Sequence, residues 1–128
     1  MTNNLPRAGR SARALAQDNS GLISTQDMSE QLVRVLGKQL LSVIFNERGE
    51  GPQNWVDSDA APSTENEKRL RDTYKVYELL RTEDHDRTVR AWFMGMNSQL
   101  EDISPAEALA LGRARDVMIA ARSFVNGA

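Results

Sequence analysis

Cysteine is absent from the 128-residue chain, and histidine occurs once. Without cysteine the chain can form no disulfide framework, no thiolate nucleophile and no zinc site of the cysteine type. No apolar run approaches the ~20 residues that a membrane-spanning helix needs, and residues 1–21 lack the apolar centre of a signal peptide. We therefore expect a cytoplasmic protein that does not enter a membrane.

The usual catalytic motifs are also missing. The single histidine, His85, lies between two aspartates at a predicted helix start, and catalysis would need a nucleophile or second acid beside it and metal binding further ligands. We expect an exposed histidine in the first turn of a helix. Asp57–Asp59 are spaced like the start of a calcium loop, but Pro62 replaces the required glycine and Lys68 the closing glutamate. No glycine-rich phosphate loop or nucleophile elbow occurs. We therefore predict no catalytic residue, no metal site, no cofactor and no enzymatic activity.

Charge is unevenly distributed along a chain whose net charge is −2. Residues 45–67 hold six acidic residues against one arginine, whereas residues 1–24 contain Arg7, Arg10 and Arg13 in a polar stretch without apolar periodicity. We predict that residues 1–24 form a mobile basic arm. Its arginines either contact phosphates or remain solvated.

The next part of the chain shows helical spacing. From Asp27, which with Glu30 suits a capped first turn, apolar residues recur three or four positions apart up to Ile44. Gly37 divides this stretch into two helices or bends one. Two glycines and a proline follow, and Pro52 suits the first position of a short helix. Helix, turn and short helix together predict a helix-turn-helix outline.

A longer helix is predicted from Thr64, which forms a capping box with Glu67, to about Arg81. It carries a basic stripe of Lys68, Arg71 and Lys75, which is either a solvated face or a set of phosphate contacts.

Three further helices are predicted beyond residue 83. One begins near Asp84 and ends at Gly95; the next begins with the Ser104–Glu107 capping box and ends at Gly112; the last spans about 113–125. No strand-like alternation occurs, so we predict an all-α protein of five to seven helices. Their apolar positions predict the following core residues: Trp92, Phe93, Met96, Val117 and Phe124.

The loop between the helix that ends at Gly95 and the helix that begins at Ser104 contains apolar residues. Leu100 and Ile103 lie between Asn97 and the Ser104 cap. A rigid loop with apolar tips is suited to docking a partner. The alternative is that Leu100 folds back as a plug over Trp92.

Residues 89–109, "VRAWFMGMNSQLEDISPAEAL", resemble the C-terminal toxin-binding domain of the Xre/MbcA/ParS-type antitoxins. That domain has a Trp-bearing helix, an Asn-x-x-Leu loop and a Pro-x-x-hydrophobic helix, which match Trp92, Asn97, Leu100, Pro105 and Leu109. The stretches upstream, from about residue 30, resemble the degenerate helix-turn-helix and linker helix of the same family. The resemblance implies a helix-turn-helix with linker helix over 25–82 and a toxin-binding helical domain over 83–128.

The resemblance also implies a partner, because members of this family pair with RES-domain toxins that attack NAD or transfer ADP-ribose. We expect an antitoxin-like protein, a homodimer or other homo-oligomer, that neutralises such a toxin. The residues expected to contact the toxin are Asn97, Leu100, Ile103, Pro105 and Leu109.

Many family members also bind their own promoter, so a DNA-binding regulator is the alternative. Its candidate phosphate contacts are Arg7, Arg10, Arg13, Lys68, Arg71 and Lys75. The positions that align with a recognition helix, Pro52–Asp59, contain no lysine or arginine, which weakens the electrostatic attraction that dominates DNA affinity. A third alternative is a structural or adaptor subunit of an unrelated assembly.

Overall fold

The computed structural model describes residues 23–47, 51–57 and 60–127. The predicted basic arm, with Arg7, Arg10 and Arg13, lies almost entirely outside these ranges. The described residues form seven α-helices and a short 3₁₀ turn at Ser98–Leu100: α1 (Thr25–Leu36), α2 (Lys38–Phe45), α3 (Gly51–Asp57), α4 (Thr64–Leu80), α5 (Asp86–Met94), α6 (Pro105–Ala110) and α7 (Ala114–Val125). The predicted all-α fold class is confirmed.

The first helix boundaries follow local hydrogen bonding. Helix α1 begins after Ser24, whose hydroxyl accepts a hydrogen bond from the Asp27 amide at 3.0 Å, so the cap lies upstream of the predicted one. Gly37 ends α1 and separates it from α2, which confirms the alternative that this glycine divides the stretch into two helices. Its φ of 87° lies in the left-handed region, which a glycine adopts without strain.

The N-cap of helix α4 also lies upstream of the predicted one, by one residue. Ser63, with φ −60° and ψ 165°, accepts a hydrogen bond from the amide of Asn66 at 3.1 Å. Thr64 is already the first helical residue. The predicted Thr64–Glu67 capping box is therefore wrong, because the capping side chain needs an extended backbone and only Ser63 has it.

Helices from residues 25–82 and from residues 83–128 contribute to one hydrophobic cluster. Helix α1 packs against α3, α4 and α5, α2 packs against α6, and α4 packs against α7. The largest completely buried side chains come from nearly every helix and include Met28, Leu36, Phe45, Leu70, Tyr77, Phe93 and Leu109. The C-terminal helices α5, α6 and α7 are thus held in place by α1, α2 and α4, and not only by each other.

The predicted core residues of the C-terminal part differ in burial. Phe93 and Val117 are completely buried, Trp92 is half-buried, and Phe124 is 39% exposed. Met96 is 83% exposed, so the predictions of Met96 and Phe124 as core residues are wrong. Phe124 lies near the end of α7, outside the hydrophobic cluster. Helix α5 ends at Met94 and Gly95 adopts an extended conformation, so the helical spacing that aligned Met96 with Val89 and Phe93 does not reach it.

No helix in the described part of the chain combines the length and apolar character needed to cross a membrane.

Candidate partner-binding surface

The segment between α5 and α6 is a closed turn organised by Asn97. The Asn97 amide donates to the carbonyl of Ile103 at 3.0 Å, and its own carbonyl accepts from Leu100 and Asp102 at 2.9 Å each. The Asn97 side chain also accepts a hydrogen bond from the Gln99 amide at 2.9 Å. An asparagine suits this position because its short amide side chain can bond the nearby backbone.

The turn is tied to α7 by an ion pair. Glu101 and Asp102 adopt left-handed φ values of 55° and 68°, which non-glycine residues adopt only under local constraint. The Glu101 carboxylate lies 2.8 Å from the Arg113 guanidinium, and Arg113 also contacts Asp116 at 3.1 Å. The loop therefore has a defined shape relative to the start of α7.

Leu100 points into the protein and not toward a partner. Its exposed fraction is 0%, so its predicted place at an apolar tip of the loop is wrong. The 3₁₀ turn carries it inward, where the turn packs against α7. Ile103 and Asn97 are half-buried, and both retain part of their surface for contact.

Helix α6 begins directly after this loop, and its capped first turn fixes the end of the loop. Ser104 and Glu107 form the predicted capping box: the Ser104 hydroxyl accepts from the Glu107 amide, and the Glu107 carboxylate accepts from the Ser104 amide, both at 3.0 Å. Pro105 and Leu109 are buried in the core. These two expected toxin contacts therefore lie beneath the surface, where they can position the loop.

Apolar surface is exposed around this loop at other residues. Met94 is 57% and Met96 83% exposed, and they flank Gly95 at the end of α5. Trp92 lies two residues before Met94, and its ring is 6.2 Å from that of Phe124 near the end of α7. Trp92 and Met94 project from opposite sides of α5, with the buried Phe93 between them. We call the set of Trp92, Met94, Met96 and Phe124 the apolar edge. The apolar spacing of α5 does not mark Met94 as a surface residue, although the helix-stopping Gly95 beside it is a signal for exposure.

The three cations of the predicted basic stripe on α4 differ in their contacts. Lys68 contacts Asp72 at 2.9 Å, whereas Arg71 contacts Glu67 at 3.3 Å and donates to the carbonyl of Ile23 at 3.4 Å. Lys75 is exposed. Arg71 is therefore bound to its own chain, and the ion pairs of Lys68 and Arg71 within α4 favour the solvated-face alternative for the stripe.

Helix α3, which covers most of the residues predicted to align with a recognition helix, is partly a core element. Its Pro52 and Trp55 are buried, and the Trp55 ring lies edge-on to Phe45 with centroids 5.2 Å apart. The helix from Gly51 to Asp57 carries no lysine or arginine.

These features define a small helical protein with a rigid, partly apolar edge on its C-terminal helices. No family model matches the sequence, and no curated protein matches it significantly. In fold it is similar to a chain in the crystal structure of the M. tuberculosis MbcT–MbcA toxin–antitoxin complex, with a TM-score of 0.68 and 18% sequence identity. The match covers 83% of this chain and 97% of that one. The resemblance to MbcA-type antitoxins is thereby confirmed at the level of the fold.

Proposed function

We propose that this protein is an antitoxin-like binding protein that neutralises a protein toxin with its C-terminal helices. The observation that carries the proposal is the similarity in fold, over 83% of the chain, to a chain in the crystal structure of a toxin–antitoxin complex. The sequence motif from Trp92 to Leu109 supports it independently, because the motif consists of residue identities and spacing and not of the fold. An antitoxin acts by binding, so the proposal requires no catalytic residue and no cofactor.

The apolar edge is the proposed contact surface. Exposed methionines are costly in water and adapt their shape to a partner, and for that reason they are common at binding surfaces. Met96, at 83% exposure, has the most surface to lose on binding. Asn97 and Ile103 border the edge as further contacts, while Leu100, Pro105 and Leu109 hold the turn in shape from inside.

The class of toxin follows from the sequence resemblance. We propose a RES-type toxin, one that degrades NAD or transfers ADP-ribose, acting in the cytoplasm. The antitoxin would act as a homo-oligomer.

DNA binding is the weaker candidate. A helix that enters the major groove normally neutralises phosphates with lysine or arginine, and α3 has neither. Arg71, one of the proposed phosphate contacts, is held by Glu67 and the Ile23 carbonyl.

Co-expression tests the proposal. The reading frame adjacent to this gene is placed under an inducible promoter, with and without this protein, and growth and cellular NAD are followed. We expect arrest and loss of NAD when the neighbour is expressed alone, and recovery of both when this protein is present. Arrest that persists with this protein would contradict neutralisation, and arrest without loss of NAD would contradict the NAD-degrading class.

A further inference from the structure

Helices α4 and α7 leave a groove between them on the surface of the protein. Its volume is about 500 Å³, and Lys68 and Lys75 of α4 face Arg115 and Arg122 of α7 across it. Asp72 is the single carboxylate among the described residues that line the groove, and it contacts Lys68 at 2.9 Å. The groove therefore has a net positive charge in a protein whose overall charge is −2.

The groove also has apolar walls. Met118 and Ile119 line it, and Ile119 is 49% exposed. On α7, Arg115, Met118, Ile119 and Arg122 follow at the i, i+3, i+4 and i+7 positions of one helical face. A different face, with Val117 and Ala121, is buried in the core. Helix α7 thus presents a second, mixed apolar and basic face to solvent.

The groove is long. A second cavity of about 240 Å³ shares Lys68, Asp72 and Ala114 with it and continues along α4 to Glu65. A small ligand is usually enclosed on most sides, whereas this groove is about half open to solvent. Its shape therefore suits a segment of polypeptide or a strand of nucleic acid better than a small molecule.

We propose that the α4–α7 groove binds an acidic amphipathic segment of a partner protein. Carboxylates of such a segment complement Lys75, Arg115 and Arg122, while its apolar side chains cover Met118 and Ile119. Arginine and methionine are enriched at protein interfaces. A nucleic acid backbone matches the charges but has no apolar side chains to cover Ile119. This site uses none of the apolar-edge residues, so it does not depend on the toxin proposal.

Binding of a defined probe tests the inference. The probe is a synthetic helical peptide with leucines on one face and glutamates beside them, added to ¹⁵N-labelled full-length protein. We expect chemical-shift changes centred on Lys75, Met118 and Ile119, weakened by added salt because charge screening reduces the attraction. The absence of shifts at these residues would overturn the proposal.

Substitutions in the groove distinguish the contribution of charge to peptide binding from that of apolar contact. The double variant Lys75→Glu with Arg122→Glu should weaken binding of the peptide at least ~10-fold, and Ile119→Ala should weaken it as well. Arg87→Glu, an exposed charge reversal on α5, is the matched control and should leave the affinity unchanged. The replacements Lys75→Gln and Arg122→Gln serve if the double reversal lowers the melting temperature. Equal binding of the wild-type and charge-altered proteins would overturn the proposal.

Two competing probes complete the experiment. A peptide with lysines in place of the glutamates should not bind, and duplex DNA should not shift the Ile119 signal. If the lysine peptide binds as well as the acidic one, charge complementarity is wrong. If DNA shifts the same groove signals and Ile119→Ala has no effect on its binding, the groove is a nucleic acid site and the proposal fails.

Discussion

Asn97 and Ile103 are joined by a backbone hydrogen bond of 3.0 Å, from the Asn97 amide to the Ile103 carbonyl, which closes a turn around the buried Leu100. The side chain that anchors the turn thus points into the core, while the residues before and after it border the surface. The presentation of the apolar edge therefore depends on packing beneath it. Variants of the core and of the surface should accordingly have different effects.

Leu100→Ala should destabilise the protein by about 2–5 kcal/mol, because it removes a completely buried leucine and leaves a cavity beside α7. Urea unfolding measures the change. Gln99→Ala is the matched control, since Gln99 is exposed in the same turn and its hydrogen bond to Asn97 uses the backbone amide. If the two variants have the same stability, Leu100 does not anchor the turn.

Ser63→Ala should cost about 1 kcal/mol, because its hydroxyl is the acceptor for the Asn66 amide at the start of α4. Thr64→Ala is the control: Thr64 is exposed and lies inside the helix, so its replacement should change the free energy of unfolding little. A larger loss for Thr64→Ala would place the cap at Thr64, where the sequence pattern predicted it.

Much of the fold was predictable because it depends on local signals. Helix ends are marked by Gly37, the Ser104–Glu107 capping box and Gly112. Each acts through its own backbone conformation or a nearby hydrogen bond, so the residue types alone predict the helix end. Ser63 and Thr64 show the limit of this reasoning. Either hydroxyl can cap a helix, and the choice between them depends on a backbone conformation that adjacent capping residues do not reveal.

The orientation of the apolar residues near the candidate site was harder to predict. Leu100 and Met96 both follow a helix end, yet one is completely buried and the other is 83% exposed. Which of them is buried depends on the path of the Asn97 turn and on contacts with α7, distant in sequence. Arg71 is a similar case, because its partner Ile23 lies 48 residues away.

We expect the free energy of unfolding to fall at high pH because the Tyr74 hydroxyl loses its proton. Burial, followed by its hydrogen bond to Glu78, raises the pKa of Tyr74 above its ordinary value of 10.0. The folded protein thus holds this proton more tightly than the unfolded chain, and the resulting stability is present below about pH 10 and is lost as the pH rises above it. Tyr74→Phe should therefore lose less stability than the wild type when urea unfolding is compared at about pH 9 and about pH 11. An identical loss in both proteins would contradict this assignment.

Met96→Asp should leave the melting temperature nearly unchanged and abolish neutralisation of the toxin. Met96 is largely exposed in the free protein, so a carboxylate there is solvated, but in the complex it would be buried without a partner. Val43→Asp is the matched control, because Val43 is an apolar residue of α2, 43% exposed and outside the apolar edge. A folded Met96→Asp variant that still restores growth would exclude Met96 from the interface.

The central claim, that this protein neutralises a toxin by binding it, is tested most directly by titration. The purified product of the adjacent reading frame is mixed with increasing amounts of this protein, and the rate of NAD consumption is measured. We predict that the rate falls in proportion to the protein added and reaches the background level once the toxin is saturated. A rate that stays unchanged when this protein is in excess would contradict the claim.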